Sequence, residues 1–103
     1  MMSETEGSER LAIVARLRKG SRERAQEILA EGPPYDLEEA GLKRHSVFLA
    51  GDTVVFVFEG PNIHQLLSKL IDDPASAGSF SVWAPLLAGT PMLAREEFWW
   101  TNE

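Results

Sequence analysis

Two histidines are the only side chains in this sequence whose ordinary pKa lies near neutral pH, and His45 is the better placed of the two. It lies near the start of KRHSVFLAGDTVVFVFEG, a stretch that reads as two apolar strands joined by a Gly-Asp turn. An imidazole there could act as an acid, act as a base or orient a ligand. The simpler interpretation is a structural histidine, bonded to backbone or water near a strand end. We take His45 as the candidate catalytic residue.

Several further side chains could surround a small organic ligand. Aromatic residues form apolar pocket walls, although they more often fill a core or an interface. Arginine on a charged edge strand could contact a ligand, although surface ion pairing is the simpler interpretation. The candidate ligand-binding residues are Phe56, Phe58, Trp83, Tyr35 and Arg95.

No metal site is predicted, because His45 and His64 lie on different elements and lack a His-x-His or His-Glu-x-x-His spacing. His64 is expected on the exposed face of a helix. The basic stretch RLRKGSRER, residues 16–24, could attract an anion at the start of a helix. It lacks the glycine pattern of a phosphate loop, so a solvated basic surface is the expected role.

The composition indicates one folded domain without disulfides. The 103 residues are 44% hydrophobic and 25% charged, and none is cysteine, which is compatible with a reducing cytoplasm. The formal charge of -6 argues against nucleic-acid binding, and no apolar run is long enough for a membrane helix. We expect residues 1–9 to be a disordered leader and residues 10–103 to form the domain, in a soluble cytoplasmic protein.

The order of predicted elements indicates the fold class. Strands are expected at 11–17, 43–50, 53–59 and 92–100, and helices at 22–31, after Gly60 and after Ser81. This β-α-β-β-α-(α)-β order is typical of a ferredoxin-like α+β fold, with an antiparallel four-stranded sheet and helices on one face. The first and third strands are the most apolar, so we expect them in the centre and the charged second and fourth strands at the edges.

The hairpin turn also predicts a register. With Gly51 and Asp52 as the loop, Ala50 pairs with Thr53 and His45 pairs with Phe58. One face then carries His45, Val47 and Leu49 from the first strand of the hairpin and Val54, Phe56 and Phe58 from the second. The other face carries Ser46, Phe48, Val55 and Val57, with a cross-strand ion pair expected between Arg44 and Glu59.

The third strand is apolar on both sides, although two helices can cover only one face of the sheet. The second face is therefore expected to be buried against another copy of the chain, as a homodimer through the sheet face. The element order, the strand-Gly-Asp-strand hairpin with His45 and the WAPLLAG segment before the last strand resemble the dimeric α+β barrel superfamily. In that superfamily, two ferredoxin-like subunits pack their sheets face to face.

The resemblance also implies a range of chemistry. The superfamily includes cofactor-free monooxygenases, sugar mutarotases, lactone isomerases, haem-binding members and stress-induced proteins. For this chain it implies a small, mostly apolar cavity for a modest organic ligand, with no cofactor, His45 as acid or base and Trp83 as a wall. The alternative is a non-catalytic ligand-binding or dimerisation module.

Overall fold

The protein forms four strands, two α-helices and one 3₁₀ helix in the part of the chain that is described. The structure is a computed structural model and describes residues 9–32, 41–72 and 78–102. The predicted helical turn within 35–42 lies mostly outside these ranges, as do residues 1–8 of the predicted leader. The elements are β1 (Glu9–Arg16), α1 (Arg22–Glu31), β2 (Arg44–Ala50), β3 (Thr53–Gly60), α2 (Ile63–Asp72), the 3₁₀ helix (Gly78–Leu86) and β4 (Met92–Arg95).

The strands form one antiparallel sheet in the order β2-β3-β1-β4. This arrangement confirms the ferredoxin-like α+β prediction, with the two most apolar strands in the centre and the charged strands at the edges. The physical reason is that central strands have neighbours on both sides, so charged side chains are better hydrated at an edge.

Both α-helices cover the same face of the sheet. Ala25 and Ile28 of α1 and Ile63 and Leu67 of α2 are buried in one cluster with side chains from the two central strands. Those strand residues are Leu11, Ile13 and Ala15 of β1 and Val54, Phe56 and Phe58 of β3. They define the core face.

The opposite face of the sheet is largely apolar and is covered by no element of the described chain. Its side chains are the ones that alternate with the core residues. We call this surface the open face; it carries Ala12 and Val14 of β1, Val55 and Val57 of β3, Ser46 and Phe48 of β2, and Met92 and Ala94 of β4. Phe48 and Met92 are well exposed on it.

The β2–β3 register is as predicted, with Ala50 opposite Thr53 and His45 opposite Phe58. Gly51 has a φ of 58°, the left-handed conformation that a two-residue hairpin turn requires at its first loop position. Because side chains alternate in a strand, this register assigns every residue of the hairpin to one face.

Two features near the C-terminus differ from the prediction. The helix expected after Ser81 is a 3₁₀ helix that already begins at Gly78, and Pro85 within it has no N–H to donate to an α-helical hydrogen bond. The last strand ends at Arg95 instead of continuing to Trp100. Continuing the β1–β4 ladder would place Glu97 opposite Glu9, and like charges directly opposite each other destabilise a sheet.

The basic turn between β1 and α1 is used to join elements. The Arg18 side chain donates from Nε to the carbonyl oxygen of Leu87 at 2.9 Å, and the Arg22 guanidinium donates to the carbonyl oxygen of Gly51. Ser21 occupies the N-cap position of α1 without a side-chain capping bond, because its backbone is already helical and not extended. These two arginines therefore hold the turn against the hairpin and the segment after the 3₁₀ helix.

Gly60 at the end of β3 is expected to be intolerant of any side chain. A Cβ added there would lie 2.7 Å from the carbonyl oxygen of Gly41, a backbone atom that cannot rotate away. We expect Gly60→Ala to lower the free energy of unfolding by about 1–3 kcal/mol through overpacking. The exposed substitution Gln65→Ala on the nearby α2 should change it by less than about 0.5 kcal/mol. Chemical denaturation compares the two variants, and equal stabilities would contradict the close contact.

Candidate functional site

His45 lies on the core side of the edge strand β2 and stacks on Phe58, its partner across the hairpin. The two ring centroids are 4.5 Å apart and the planes are inclined by 27°. Directly opposed side chains in an antiparallel pair are close enough for rings to stack. The hairpin register and a buried phenylalanine thus fix the position of the imidazole, which is itself only half-buried.

A backbone carbonyl on the neighbouring strand sets the tautomer of this imidazole. Nδ1 of His45 lies 3.0 Å from the carbonyl oxygen of Val57. A carbonyl can only accept, so Nδ1 carries the proton and donates it to Val57. In the neutral ring Nε2 is then an acceptor, and it has no hydrogen bond to any residue that the structure describes.

The surroundings of His45 keep it neutral at pH 7. Burial beside Phe58 lowers the pKa of His45 below its ordinary value of 6.5, because the charged imidazolium loses hydration. The hydrogen bond to the Val57 carbonyl acts in the opposite direction and raises the pKa, but by less than burial lowers it. A neutral imidazole with a free Nε2 can accept a proton or a hydrogen bond.

The three aromatic residues predicted as ligand contacts are buried in the core. Phe56 and Phe58 are 1% and 2% exposed, and Trp83 is also buried. Trp83 meets Phe56 edge to face, with ring centroids 4.9 Å apart. His45 therefore stacks on Phe58 and Trp83 packs on Phe56, and the two phenylalanines belong to one buried cluster.

The other two predicted contacts lie elsewhere. Tyr35 is outside the described residues. Arg95 is exposed at the end of β4 and lines a depression that opens on the side of the sheet away from the helices.

That depression has a volume of about 380 Å³ and lies where the open face meets the first residues of β1. Arg10 stands at its charged end, with Nε donating to Glu96 at 2.8 Å and Nη1 lying 3.7 Å from a carboxylate oxygen of Glu59. The lining residues are Arg10, Leu11, Ala12, Arg44, Ser46, Phe48, Val57, Glu59, Ala94, Arg95 and Glu96.

The ion pair of Glu59 corrects the sequence prediction. Arg44 and Glu59 are cross-strand neighbours as expected, but the guanidinium within ion-pair distance of Glu59 belongs to Arg10. Arg10 lies opposite Glu59 in the β1–β3 ladder, a pairing that becomes visible only once those two distant strands are aligned. The hairpin alone could not reveal it.

His64 is exposed on α2, as expected. Among the described residues, no three His, Asp or Glu side chains are grouped so that they could share a metal ion. Nor is any helix in the described ranges long and apolar enough to cross a membrane.

Three solved structures show what this architecture is similar to. Tetracenomycin F2 cyclase from Streptomyces glaucescens, a type-II polyketide cyclase, aligns with a TM-score of 0.64 at 19% identity over 91% of this chain and 98% of the cyclase. L-rhamnose mutarotase from Formosa agariphila gives 0.55 at 19% identity, covering 92% and 99% of the two chains. A candidate antibiotic biosynthesis monooxygenase from Chloroflexus aurantiacus gives 0.53 at 15% identity, covering 93% and 99%.

The chain has the fold of the dimeric α+β barrel proteins. No protein-family model and no curated protein matches the sequence. At identities below 20%, likeness to these dimeric α+β barrel structures establishes the fold, and the chemistry has to be argued from the site residues.

The lowered pKa of His45 makes a testable prediction about pH. The folded protein binds a proton at His45 less readily than the unfolded chain, so this residue favours the folded state above pH 6.5. That contribution should be lost as the pH falls from 6.5 through the lower folded-state pKa. NMR titration of the imidazole should give a midpoint below 6.5, and the pH dependence of unfolding should weaken in His45→Gln. A midpoint above 6.5 would contradict the dominance of burial.

Proposed function

We propose that this protein binds a small organic molecule and uses His45 as a general base in a cofactor-free reaction. The observation that supports this most directly is the fixed, neutral imidazole. Its Nδ1–H is committed to the Val57 carbonyl, and its Nε2 is left without a partner among the described residues. A base held on a strand by packing and by a backbone bond is well oriented for proton transfer.

Proton abstraction would proceed toward Nε2. An O–H group, or a C–H group made acidic by a neighbouring carbonyl or aromatic ring, transfers its proton to Nε2 and leaves the electron pair on the substrate. The Val57 carbonyl, which raises the pKa of His45, then stabilises the imidazolium. Return of the proton to a different substrate atom completes an isomerisation.

The same first step serves a monooxygenase-like reaction. A carbanion formed at a CH₂ group between aromatic rings reacts with dioxygen. The CH₂ becomes a carbonyl group, the second oxygen atom leaves as water, and the substrate supplies all the electrons. The cyclase, the mutarotase and the candidate monooxygenase that share this fold support small-molecule chemistry of this general kind.

A non-catalytic ligand-binding or dimerisation module is the second candidate. The same unpartnered Nε2 would then accept a hydrogen bond from a ligand without removing its proton. Binding that saturates without product formation distinguishes this function from catalysis.

The catalytic proposal predicts a specific loss on changing the imidazole. With hydroxyquinones, anthrones and aldose sugars as test substrates, His45→Gln should lower kcat/KM by about 10²–10⁴-fold, because glutamine cannot take up a proton. His64→Gln replaces an exposed histidine and serves as the matched control, with activity unchanged. Calorimetric melting should confirm that both variants fold. Turnover in His45→Gln equal to that of the parent protein would rule out the role of His45.

We also propose that the protein is a homodimer that buries the open face. The central residues of this face, Val14, Val55 and Val57, remain partly exposed in the single chain, and Phe48 is 59% exposed. Sheets with one solvated face alternate apolar and polar residues, whereas β3 is apolar on both sides. In a symmetric dimer, a second copy would pack its own open face against this one, so the same residues of both subunits would be buried.

The dimer proposal predicts the effect of a charge at the centre of the open face. Val55→Arg should produce a monomer, because the interface would bury an unpaired guanidinium. Val82→Arg is the control, since Val82 is an exposed apolar residue of the 3₁₀ helix and should not affect assembly. Light scattering at micromolar concentration should give twice the 11.4 kDa chain mass for the parent and for Val82→Arg. A parent protein with the mass of one chain would refute the dimer.

A further inference from the structure

Three consecutive aromatic residues follow β4 and are exposed to solvent. We call residues 96–102 the C-terminal arm; it has no helix or strand of its own. Phe98, Trp99 and Trp100 in this arm are 82%, 62% and 73% exposed. Each large aromatic side chain can bury 150–250 Å² or so, and a cluster of this size exposed on a small protein marks an interaction surface.

The arm begins at the rim of the open-face depression. Glu96, its first residue, lines the depression and accepts the hydrogen bond from Arg10. The depression contains apolar side chains that an aromatic ring could contact: the exposed Phe48 on β2, Val57 on β3 and Ala94 on β4. The open-face depression and the exposed aromatic arm therefore lie next to each other in one chain.

We infer that the C-terminal arm of each subunit packs into the open-face depression of its partner. This inference rests on the proposed homodimer. It adds that the C-terminal arm and the open-face depression are the two parts that recognise each other. Exchange of two identical arms satisfies two-fold symmetry, since each subunit offers one arm and one depression.

The reach of the arm fits this exchange. Extended backbone advances about 3.3 Å per residue, so Phe98 and Trp100 lie up to about 7 Å and 13 Å beyond Glu96. Two sheets packed face to face are about 10 Å apart, which falls between these values.

The composition of the arm favours docking on the partner over folding back on its own chain. Residues 96–101 contain no glycine, proline, asparagine, aspartate or serine, so none of the residues that favour a tight turn is present where the chain would have to reverse toward its own depression. If the alternation of β4 continues, Phe98 and Trp100 fall on the side that carries Met92 and Ala94, the open face. Trp99 falls on the other side.

Charges in the depression complement the arm. Arg44 and Arg95 line the depression and form no ion pair with any described residue, in contrast to Arg10. Glu97 in the arm likewise has no ion pair in the described ranges. A guanidinium can also lie over the face of an indole ring, so Arg44 and Arg95 in the depression suit an arm that contains tryptophan.

Disulfide trapping between two differently labelled chains tests the exchange, because the native sequence contains no cysteine. One chain carries Ser46→Cys in the depression and the other carries Asn102→Cys in the arm, on the same side of the extended backbone as Phe98 and Trp100. Under mild oxidation, this pair should form a covalent heterodimer at least about tenfold faster than the control pair, Gln26→Cys on α1 with Asn102→Cys. Light scattering on each mixture establishes beforehand whether the chains are dimeric.

Dilution of the parent and of two arm variants gives an independent measurement. Trp100→Ala should raise the dimer Kd by about thirtyfold, as for a central aromatic contact, and Trp99→Ala should raise it by less than about threefold. Two results would overturn the arm exchange but not the dimer proposal. In the first, the chains are dimeric but the cysteine pair is not trapped faster than the control pair. In the second, the disulfide forms only when both cysteines are in one chain. Chains that are monomeric at every concentration would overturn both.

Discussion

The Gly51-Asp52 turn is the local constraint on which the arrangement of this protein depends. A strand has a side-chain period of two, so a slip of one residue in the hairpin would exchange every side chain between the two faces of the sheet. The positive φ of Gly51 fixes the turn. Two hydrogen bonds from outside the hairpin also hold it: the Arg22 side chain donates to the Gly51 carbonyl oxygen, and the Leu17 N–H donates to the Asp52 carbonyl oxygen. The register then places His45 on Phe58 and Phe48 on the open face.

The two faces defined by this register have different physical roles. On the core face, β1 and β3 contribute buried aliphatic and aromatic residues that the helices cover. On the open face, a half-exposed apolar centre adjoins a charged end where Arg10 bridges the carboxylates of Glu59 on β3 and Glu96 just after β4. His45 belongs to the first side and the depression to the second. In a single chain, the imidazole of His45 and the depression therefore lie on opposite faces of the sheet.

The properties of His45 come from its neighbours more than from the residue type. Phe58 removes hydration and the Val57 carbonyl fixes one ring nitrogen, so an ordinary imidazole becomes a neutral acceptor of defined orientation. His64 has the same side chain but lies exposed on α2. Structures that share this fold at below 20% identity include a cyclase and a mutarotase, so the fold alone does not define the chemistry.

Much of the fold could be predicted from patterns of neighbouring residues and from the order of the elements. Apolar periodicity and turn residues were sufficient for the bounds of α1, the hairpin register and the central position of β1 and β3. They were also sufficient for the ferredoxin-like α+β fold, which solved structures at below 20% identity share. The helix bounds and the hairpin register are local properties, because backbone conformation and side-chain alternation are set within a few residues. The strand order follows from the order of the elements, which is typical of the ferredoxin-like fold.

Contacts that join distant segments could not be predicted in this way, because they form when the sheet assembles. The partner of Glu59 is Arg10 and not the adjacent Arg44, because β1 lies beside β3 only after the sheet has assembled. The early end of β4 depends in the same way on what β1 would place opposite it. The tautomer of His45 depends on which carbonyl the assembled hairpin brings within 3.0 Å. Each depends on distances between strands, which the pattern of residues along one strand does not contain.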